Sequence, residues 1–359
     1  MTKQIIDFEQ LIGATSLKNI PANWFYNNIA DARNHGAQEL GTAFVEYHKE
    51  LLQQPELIGL LEHSASDANE RALEIAREVT GKTRVLCSNL THSSIEKAIT
   101  KSRLQPVIVY ANPNNKFQVS DEEIFKKISE HGKDIAIIVS THGTTSLGNI
   151  ETLATNEQVQ ELRKTGTLLH IDAAYGGLLS RYAELSNMPS ADTITLDQYK
   201  FIGIPGTALL LAKKNLRTPS NVTYFDQSTL TMHTTFSAGP IAAWYATQED
   251  LGEQGLKNIA MDCIHIAKNT AKELKNQGVK LILDPQLSTI PITTNSEEET
   301  IYIRDEMMKK GYQIGKIKLI GDTYRTHGVR ISITPKVKPE YQSYHASKAV
   351  EHIAKLFKT

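Results

Sequence analysis

The chain has 359 residues, of which 40% are hydrophobic and 22% charged, and its formal net charge is −1. This near-neutral balance does not favour nucleic acid or an anionic membrane surface as a partner. The longest apolar runs, 135–139 and 208–212, are too short to span a bilayer, and residues 1–10 lack the apolar core of a signal peptide. Two cysteines, Cys87 and Cys263, imply no disulfide framework. These features predict a cytoplasmic protein without a membrane or nucleic-acid partner.

The sequence divides into three regions with different patterns, and the first two cover residues 1–245. Residues 1–55 are expected to be helical with polar joints, as in the amphipathic stretch 31–52, which ends before Pro55. Residues 56–245 alternate helical and strand patterns. The predicted helices are 67–79, 93–101, 121–131 and 156–165, and the predicted strands are 84–87, 107–110, 135–140, 168–172, 193–196 and 208–212. Strands that alternate with helices predict a mostly parallel sheet covered on both faces.

The third region, residues 246–359, begins a new pattern. A long helix is predicted at 256–277, followed by a strand at 287–293, a helix at 297–310, a strand at 329–333 and a last helix at 341–357. The expected fold class is therefore α/β, with a large domain and a small C-terminal α/β domain. In parallel α/β sheets, ligands bind outside the carboxyl ends of the strands, so the polar residues that follow the strands are the candidates for a site.

The strand at 168–172 ends in a carboxylate, Asp172, which is followed by Ala173 and Ala174. A buried strand rarely carries an aspartate without a partner. One interpretation is a turn or a helix cap. The other is a carboxylate that meets a cation, such as a protonated pyridine nitrogen, beside residues small enough for a flat ring to lie against the backbone.

Lys200 follows the strand at 193–196 and precedes a turn at 203–206 that contains glycine and proline. A lysine in this position is either an exposed loop residue or a buried amine suited to a Schiff base. His92, at the end of another strand, is either an ordinary polar residue before a helix or a ring that stacks on a planar ligand.

Ala65 and Ser66 stand at the predicted start of a helix. This arrangement is typical both of an ordinary helix cap and of a phosphate site, because the first N–H groups of a helix have no intrahelical acceptors. The loop at 140–148 is rich in hydroxyls and bent by glycines, and alone it favours no particular function.

Four segments in this order resemble the group II pyridoxal-phosphate decarboxylases, which have the aspartate-aminotransferase-like fold. The matching segments are Thr-His-Ser-Ser-Ile-Glu-Lys-Ala at 91–98, Gly-Thr-Thr-Ser-Leu-Gly at 143–148, His-Ile-Asp-Ala-Ala-Tyr-Gly-Gly at 170–177 and Ala-Asp-Thr-Ile-Thr-Leu-Asp-Gln-Tyr-Lys at 191–200. The resemblance runs from about residue 56 to 250. It implies a mainly parallel seven-stranded sheet, pyridoxal 5′-phosphate as the cofactor, and decarboxylation of an L-amino acid.

The resemblance also implies roles for individual residues. Lys200 would hold the cofactor as a Schiff base, and Asp172 would keep the pyridine nitrogen protonated. His92 would stack on one face of the ring and Ala174 would support the other. Thr145 would form a hydrogen bond near Asp172 or to a cofactor oxygen.

Further contacts are implied at the phosphate and in the segment before the lysine. Ala65 and Ser66 would meet the phosphate, and Asp197 and Tyr199 would contact the cofactor. Tyr224, in a segment without periodicity, would deliver the proton to the carbon atom from which carbon dioxide departs. Tyr199 is the alternative donor. The resemblance further implies a homodimer with its active site at the subunit interface, and no metal is expected.

The chain departs from the family pattern at three places. The glycines of the phosphate loop are replaced in Ser-Ala-Ser-Asp-Ala-Asn at 64–69, the histidine before the lysine is Tyr199, and a Gly-Ser-Arg segment is replaced around 234–237. Two alternatives therefore stay open. One is another pyridoxal-phosphate enzyme, such as an aminotransferase, a cysteine desulfurase or a carbon–carbon lyase, and the other is a cofactor-binding protein without catalysis.

The predicted substrate class depends on the role of Arg330, which lies at the start of the predicted strand 329–333. Its guanidinium is either a surface ion-pair group or a partner for a substrate carboxylate. In the second case aspartate or glutamate is favoured, while aromatic amino acids and histidine remain alternatives.

Overall fold

The computed structural model describes residues 35–216, 236–334 and 339–357. Its largest element is a seven-stranded sheet in the order β1-β9-β8-β7-β6-β2-β3. The strands of this sheet are Leu57–Glu62 (β1), Arg84–Ser88 (β2), Gln105–Val109 (β3), Ile135–Thr141 (β6), Leu168–Asp172 (β7), Thr193–Asp197 (β8) and Ala208–Lys213 (β9). Two short strands, Ala111–Asn112 (β4) and Gln118–Val119 (β5), pair with each other apart from it.

The directions of the strands confirm the predicted, mainly parallel sheet. The neighbours β3, β2, β6, β7 and β8 all run parallel, whereas β9 is antiparallel both to β8 and to β1. All seven residues of β6 are buried, because this central strand is covered on both faces. The carboxyl ends of the parallel strands therefore meet at one edge, where the sequence predicted a site.

Ten α-helices lie within the described residues. They are His35–Leu52 (α1), Ala65–Thr80 (α2), Ser93–Lys101 (α3), Asp121–His131 (α4), Glu157–Arg163 (α5), Gly176–Tyr182 (α6), Gln198–Ile202 (α7), Gly239–Asn276 (α8), Glu297–Lys309 (α9) and Pro339–Leu356 (α10). No helix in this part of the chain is both long and apolar enough to cross a membrane.

A second sheet lies in the C-terminal region, as expected for a small α/β domain. It is antiparallel, in the order β10-β12-β11, and consists of Thr289–Thr294 (β10), Gly315–Ile320 (β11) and Arg325–Ser332 (β12). The strand β11 was not predicted, although lysines alternate with buried Ile317 and Leu319 along it. Such alternation is typical of a strand with one face in water.

The strand β1 was also missing from the prediction, because Gly59 interrupts its short apolar run. A glycine is required there, since a Cβ atom at residue 59 would lie 2.4 Å from the Cγ1 atom of Val45. The helix α1 can therefore pack closely on the edge of the sheet. Its Phe44 is fully buried and meets Trp244 of α8 edge to face, with ring centroids 4.8 Å apart.

The long helix α8 begins earlier than predicted, at Gly239. The predicted domain boundary between residues 245 and 246 lies inside it and stays a prediction. The helical path breaks at Gly252, whose φ of 63° and ψ of 174° are not helical.

Candidate active site

Asp172 ends the strand β7 at the carboxyl edge of the sheet and is only 5% exposed. Its Oδ1 atom accepts a hydrogen bond from the backbone N–H of Ala174 at 3.2 Å, and its Oδ2 atom accepts one from Nδ2 of Asn69 at 2.9 Å. No basic side chain in the described ranges forms a salt bridge with this buried carboxylate. Because a buried charge requires a partner, the site fits a cationic ligand group at this position.

Lys200 lies in the short helix α7, which starts directly after the neighbouring strand β8. Asp197 caps this helix, since its carboxylate accepts a hydrogen bond from the backbone N–H of Tyr199 at 3.0 Å. The adjacent parallel strands β7 and β8 therefore bring the Lys200 turn and Asp172 to the same edge. Lys200 is half-buried, whereas the ring of Tyr199 is 47% exposed.

His92 caps the helix α3 with its Nδ1 atom, which accepts a hydrogen bond from the backbone N–H of Ser94 at 3.1 Å. Burial lowers the pKa of His92, the positive charges of Lys200 and Arg330 lower it further, and Asp172 opposes them. The ring is therefore neutral at pH 7, with its proton on Nε2. The Ser94 hydroxyl, which contacts Nδ1 of His92 at 2.9 Å and Nδ2 of Asn69 at 3.2 Å, connects His92 to the side chain that binds Asp172.

The predicted phosphate site lies at the start of α2. Ser64 is the cap of this helix, because its hydroxyl accepts a hydrogen bond from the backbone N–H of Asp67 at 3.2 Å and donates one to the Asp67 carboxylate at 2.7 Å. Of the predicted pair, Ala65 is buried and Ser66 is exposed. Ser66 therefore supplies the accessible hydroxyl beside backbone N–H groups that lack intrahelical acceptors.

Arg330 lies on β12 of the small sheet, opposite Pro291 and Gly315. Burial lowers the pKa of its guanidinium, and the nearby Tyr175 acts in the opposite direction. The Tyr175 hydroxyl bonds to the Ser288 hydroxyl at 2.8 Å, which connects the loop after β7 to the small sheet. Arg330 is half-buried, its Nη1 atom lies 3.5 Å from the backbone carbonyl of Lys316, and it forms no salt bridge with another described residue.

The remaining predicted residues are placed as follows. Ala174 is buried next to Asp172, and Thr145 is half-buried in the loop after β6. Tyr224 lies outside the described residues, as do Thr234 and Thr235 of the segment that departs from the family pattern. Within the described ranges there is no group of three metal-ligating side chains, and no metal was predicted.

Three buried polar residues of the site were not predicted. Asn69 contacts Asp172 from within α2, and the Nε2 atom of His170 lies 3.0 Å from Oδ1 of Asn69. Glu151 accepts hydrogen bonds from the Ser88 hydroxyl and from the backbone N–H of Thr141, and burial raises the pKa of its carboxyl group. Asn69 and His170 lie within segments that were compared with the family pattern, at 64–69 and 170–177, but no role was predicted for them. Glu151 lies outside these segments.

These residues offer the groups that a flat, anionic pyridine cofactor requires. A buried carboxylate meets a protonated ring nitrogen, a lysine amine can bond to an aldehyde, a neutral imidazole can stack on the ring, and a helix start can hold a phosphate. The described side chains therefore fit pyridoxal 5′-phosphate, the cofactor predicted from the sequence.

Comparisons with known proteins agree with this chemistry. Residues 64–291 match the family described as the pyridoxal-dependent decarboxylase conserved domain. A histidine decarboxylase of Mesorhizobium japonicum is 28% identical over 244 residues, which are 66% of this chain and 65% of that protein. A probable L-tyrosine/L-aspartate decarboxylase of Methanopyrus kandleri is 26% identical over 309 residues, with 81% of this chain and 80% of that protein covered.

The fold also resembles solved structures. The glutamate decarboxylase of Lactobacillus brevis superimposes with a TM-score of 0.78 at 17% sequence identity, covering 94% of this chain and 83% of that one. At this identity the similarity concerns the fold alone, and it confirms the predicted fold class.

Proposed function

The chain belongs to the pyridoxal-dependent decarboxylase family, and we propose that it removes the α-carboxylate of an acidic L-amino acid, aspartate or glutamate. Membership of this family confirms the predicted cofactor and favours decarboxylation over the aminotransferase, lyase and non-catalytic alternatives. The bound cofactor supplies an acceptor for the electron pair that the departing carboxylate leaves behind. The position of Arg330 is the observation that carries the proposed substrate class.

In this proposal the residues at the sheet edge hold and orient the cofactor. Lys200 binds its aldehyde carbon through the side-chain amine, and the carboxylate of Asp172 keeps its ring nitrogen protonated. His92 and Ala174 pack on the two faces of the ring. Support comes from the burial of Asp172 without a basic partner among the described residues, and from the neutral state of His92.

The remaining contacts lie around this centre. Ala65 and Ser66 bind the phosphate at the start of α2, and Asp197 and Tyr199 contact the cofactor from the turn before the lysine. Thr145 adds a hydroxyl group from the loop after β6. The exposed hydroxyl of Ser66 and the helix cap formed by Asp197 support these assignments.

Arg330 pairs with the side-chain carboxylate of the substrate in this proposal. A guanidinium bound to the leaving carboxylate would stabilise the ground state more than the transition state, because that carboxylate loses its charge as carbon dioxide forms. An arginine near the site is therefore better suited to a second carboxylate that keeps its charge throughout. Its partial burial strengthens such a charge-assisted pair.

The proton that replaces carbon dioxide comes from Tyr224 in this proposal. The support is the family resemblance, together with the hydroxyl-rich character of the segment 220–230. Tyr199, beside Lys200, is the alternative donor.

We also propose that the protein works in the cytoplasm as a homodimer, as the family resemblance implies. Both described cysteines, Cys87 and Cys263, are buried and not joined in a disulfide, which agrees with a reducing compartment. A chain of 39.9 kDa should then give a mass of about twice that value by light scattering. A fully active species of single-chain mass would contradict the homodimer.

The proposed reaction is tested by incubating the purified holoenzyme with each of the twenty L-amino acids and measuring both the carbon dioxide and the amine released. We expect the highest kcat/KM for aspartate or glutamate, with the amine and carbon dioxide formed in equal amounts. Faster turnover of tyrosine or histidine would overturn the substrate class. A keto acid formed without carbon dioxide would instead support the aminotransferase alternative.

A further inference from the structure

One buried amide, that of Asn69, lies between the two groups proposed to contact the cofactor ring. Asn69 is 1% exposed in the first turns of α2. Its Nδ2 atom lies 2.9 Å from Oδ2 of Asp172 and 3.2 Å from Oγ of Ser94, and the Ser94 hydroxyl in turn lies 2.9 Å from Nδ1 of His92. A side chain 103 residues away in sequence from Asp172 thus holds one of its oxygens.

The direction of these hydrogen bonds is set by Asp172, because its carboxylate accepts and the amide must turn an N–H group toward it. Burial lowers the pKa of His170 to about 4, so that its ring is neutral and carries a single proton. Its Nε2 atom lies 3.0 Å from Oδ1 of Asn69 and its Nδ1 atom 2.9 Å from the Thr193 hydroxyl. An amide oxygen only accepts, so Nε2 of His170 donates to Asn69 and Nδ1 accepts from Thr193.

Asp172 therefore allows only one orientation of the Asn69 amide, and His170 complements it by donating to Oδ1. Both hydrogens of Nδ2 are then used, one on Asp172 and the other on Ser94. A flipped amide would set two acceptor oxygens against each other at Asp172, which is costly in a buried position.

We propose that Asn69, whose amide oxygen is bound by His170, is a positioning residue that fixes the carboxylate of Asp172 for the ring nitrogen of the cofactor. The proposal rests on the role of Asp172 in the proposed function. With Oδ2 held by Asn69 and Oδ1 by the N–H of Ala174, the carboxylate has one rotational position. Without Asn69 the carboxylate is free to turn away from the ring.

The test compares how tightly the stripped full-length protein binds pyridoxal 5′-phosphate and its 1-deaza analogue, in which the ring nitrogen is replaced by a carbon. The ratio of the two dissociation constants reports only on the ring nitrogen, because the phosphate and the aldehyde are the same in both ligands. A charge-assisted hydrogen bond to the nitrogen predicts a preference of roughly tenfold or more for the natural cofactor in the parent protein.

Asn69→Leu should lower this preference at least about threefold. If the leucine side chain is too large for the protein to fold, Asn69→Ala should show the same decrease. His170→Leu should act in the same direction, because it removes the donor that holds the Oδ1 atom of Asn69. Ser94→Ala is the matched control, since it removes the other hydrogen bond of the same Nδ2 atom and leaves the bond to Asp172 in place. Its preference should equal that of the parent.

Asp172→Asn distinguishes the proposed positioning role of Asn69 from the proposed role of Asp172, on which it depends. If this variant loses the preference while Asn69→Leu and Asn69→Ala keep it, the positioning role of Asn69 is wrong and the proposed function stands. If Asp172→Asn keeps the preference, the role of Asp172 is wrong and the inference fails with it. Loss of the preference in all three variants, with Ser94→Ala unchanged, supports the positioning role.

Discussion

His48 in α1 accepts a hydrogen bond from the side-chain amide of Gln198, which lies two residues before Lys200. The direction is set on the other side of the ring, where Nδ1 of His48 donates to the backbone carbonyl of Phe44 at 2.7 Å. Burial lowers the pKa of His48 to about 4, so the ring is neutral and its Nε2 atom can accept. A helix from the predicted N-terminal segment thereby holds the turn that carries the lysine.

Because of this contact, we expect His48→Phe to weaken the attachment of the turn that carries Lys200 to α1. Phenylalanine keeps the aromatic packing against Phe44 and Trp244 but forms neither hydrogen bond. We expect the free energy of unfolding to fall by about 1–3 kcal/mol and the cofactor to dissociate faster. Chemical denaturation and the decay of the cofactor absorbance measure the two effects. Replacement of the partly exposed His131 by phenylalanine is the control, and an equal loss there would contradict this explanation.

A second prediction concerns stability in acid. The buried histidines His48, His142 and His170 have their pKa lowered to about 4, mainly by burial. At pH 7.5 they are neutral in both states. As the pH falls below about 6.5, the unfolded chain binds protons that the folded protein does not, so the free energy of unfolding decreases until about pH 4. Each histidine can contribute up to roughly 3 kcal/mol.

Urea denaturation at pH 7.5, 5.5 and 4.5 measures this loss of stability. His142→Asn removes one of the three buried titrating groups and should make the decline between pH 6.5 and 4 shallower. A decline as steep as that of the parent protein would show that His142 does not take up its proton on unfolding.

A third prediction is that Lys200 is the lysine that binds the cofactor. Lys200→Ala should lose the cofactor absorbance band and nearly all turnover, while its far-ultraviolet circular dichroism stays the same. Borohydride reduction of the parent holoenzyme, followed by peptide mapping, should place the label on Lys200. Label on Lys97, which lies in α3 after His92, would refute the assignment.

The parts of the site that were predictable lie at the ends of strands. Asp172 is the last residue of an apolar strand and Lys200 follows another, so one short window of sequence contains both the strand and the polar residue at its end. Asn69 and His170 lie within the compared segments 64–69 and 170–177, but no role was predicted for them, because their contact joins a helix and a strand 101 residues apart. The strand β1 was missed for a related reason, since its Gly59 is explained only by the close approach of α1.

A fourth prediction is that Arg330 determines the preference for acidic substrates. Arg330→Met keeps much of the apolar stem and removes the charge, so KM for aspartate or glutamate should rise about tenfold or more. The KM values for neutral amino acids should change little. Arg325→Met is the matched control, because it lies on the same strand β12 but is exposed at its beginning. An equal rise of KM for all substrates would instead indicate that Arg330 binds the α-carboxylate.

The last prediction distinguishes the two candidate proton donors. General acid catalysis by a positioned side chain contributes about 10²–10⁴-fold, so Tyr224→Phe should lower kcat by roughly 10² or more with little change in KM. Its cofactor absorbance should remain, because the phenol acts only after carbon dioxide has left. The fraction of abortive transamination should rise, since the proton is then delivered to the wrong carbon.

Tyr199→Phe is the matched comparison, because its phenol adjoins Lys200 in sequence but its ring is 47% exposed. Water reaches such a group readily, and a proton donor in contact with solvent protonates either carbon with less selectivity. We therefore expect Tyr199→Phe to stay within a few-fold of the parent in kcat and in the ratio of amine to transamination product. Normal turnover by Tyr224→Phe, together with a large loss in Tyr199→Phe, would place the donor beside Lys200.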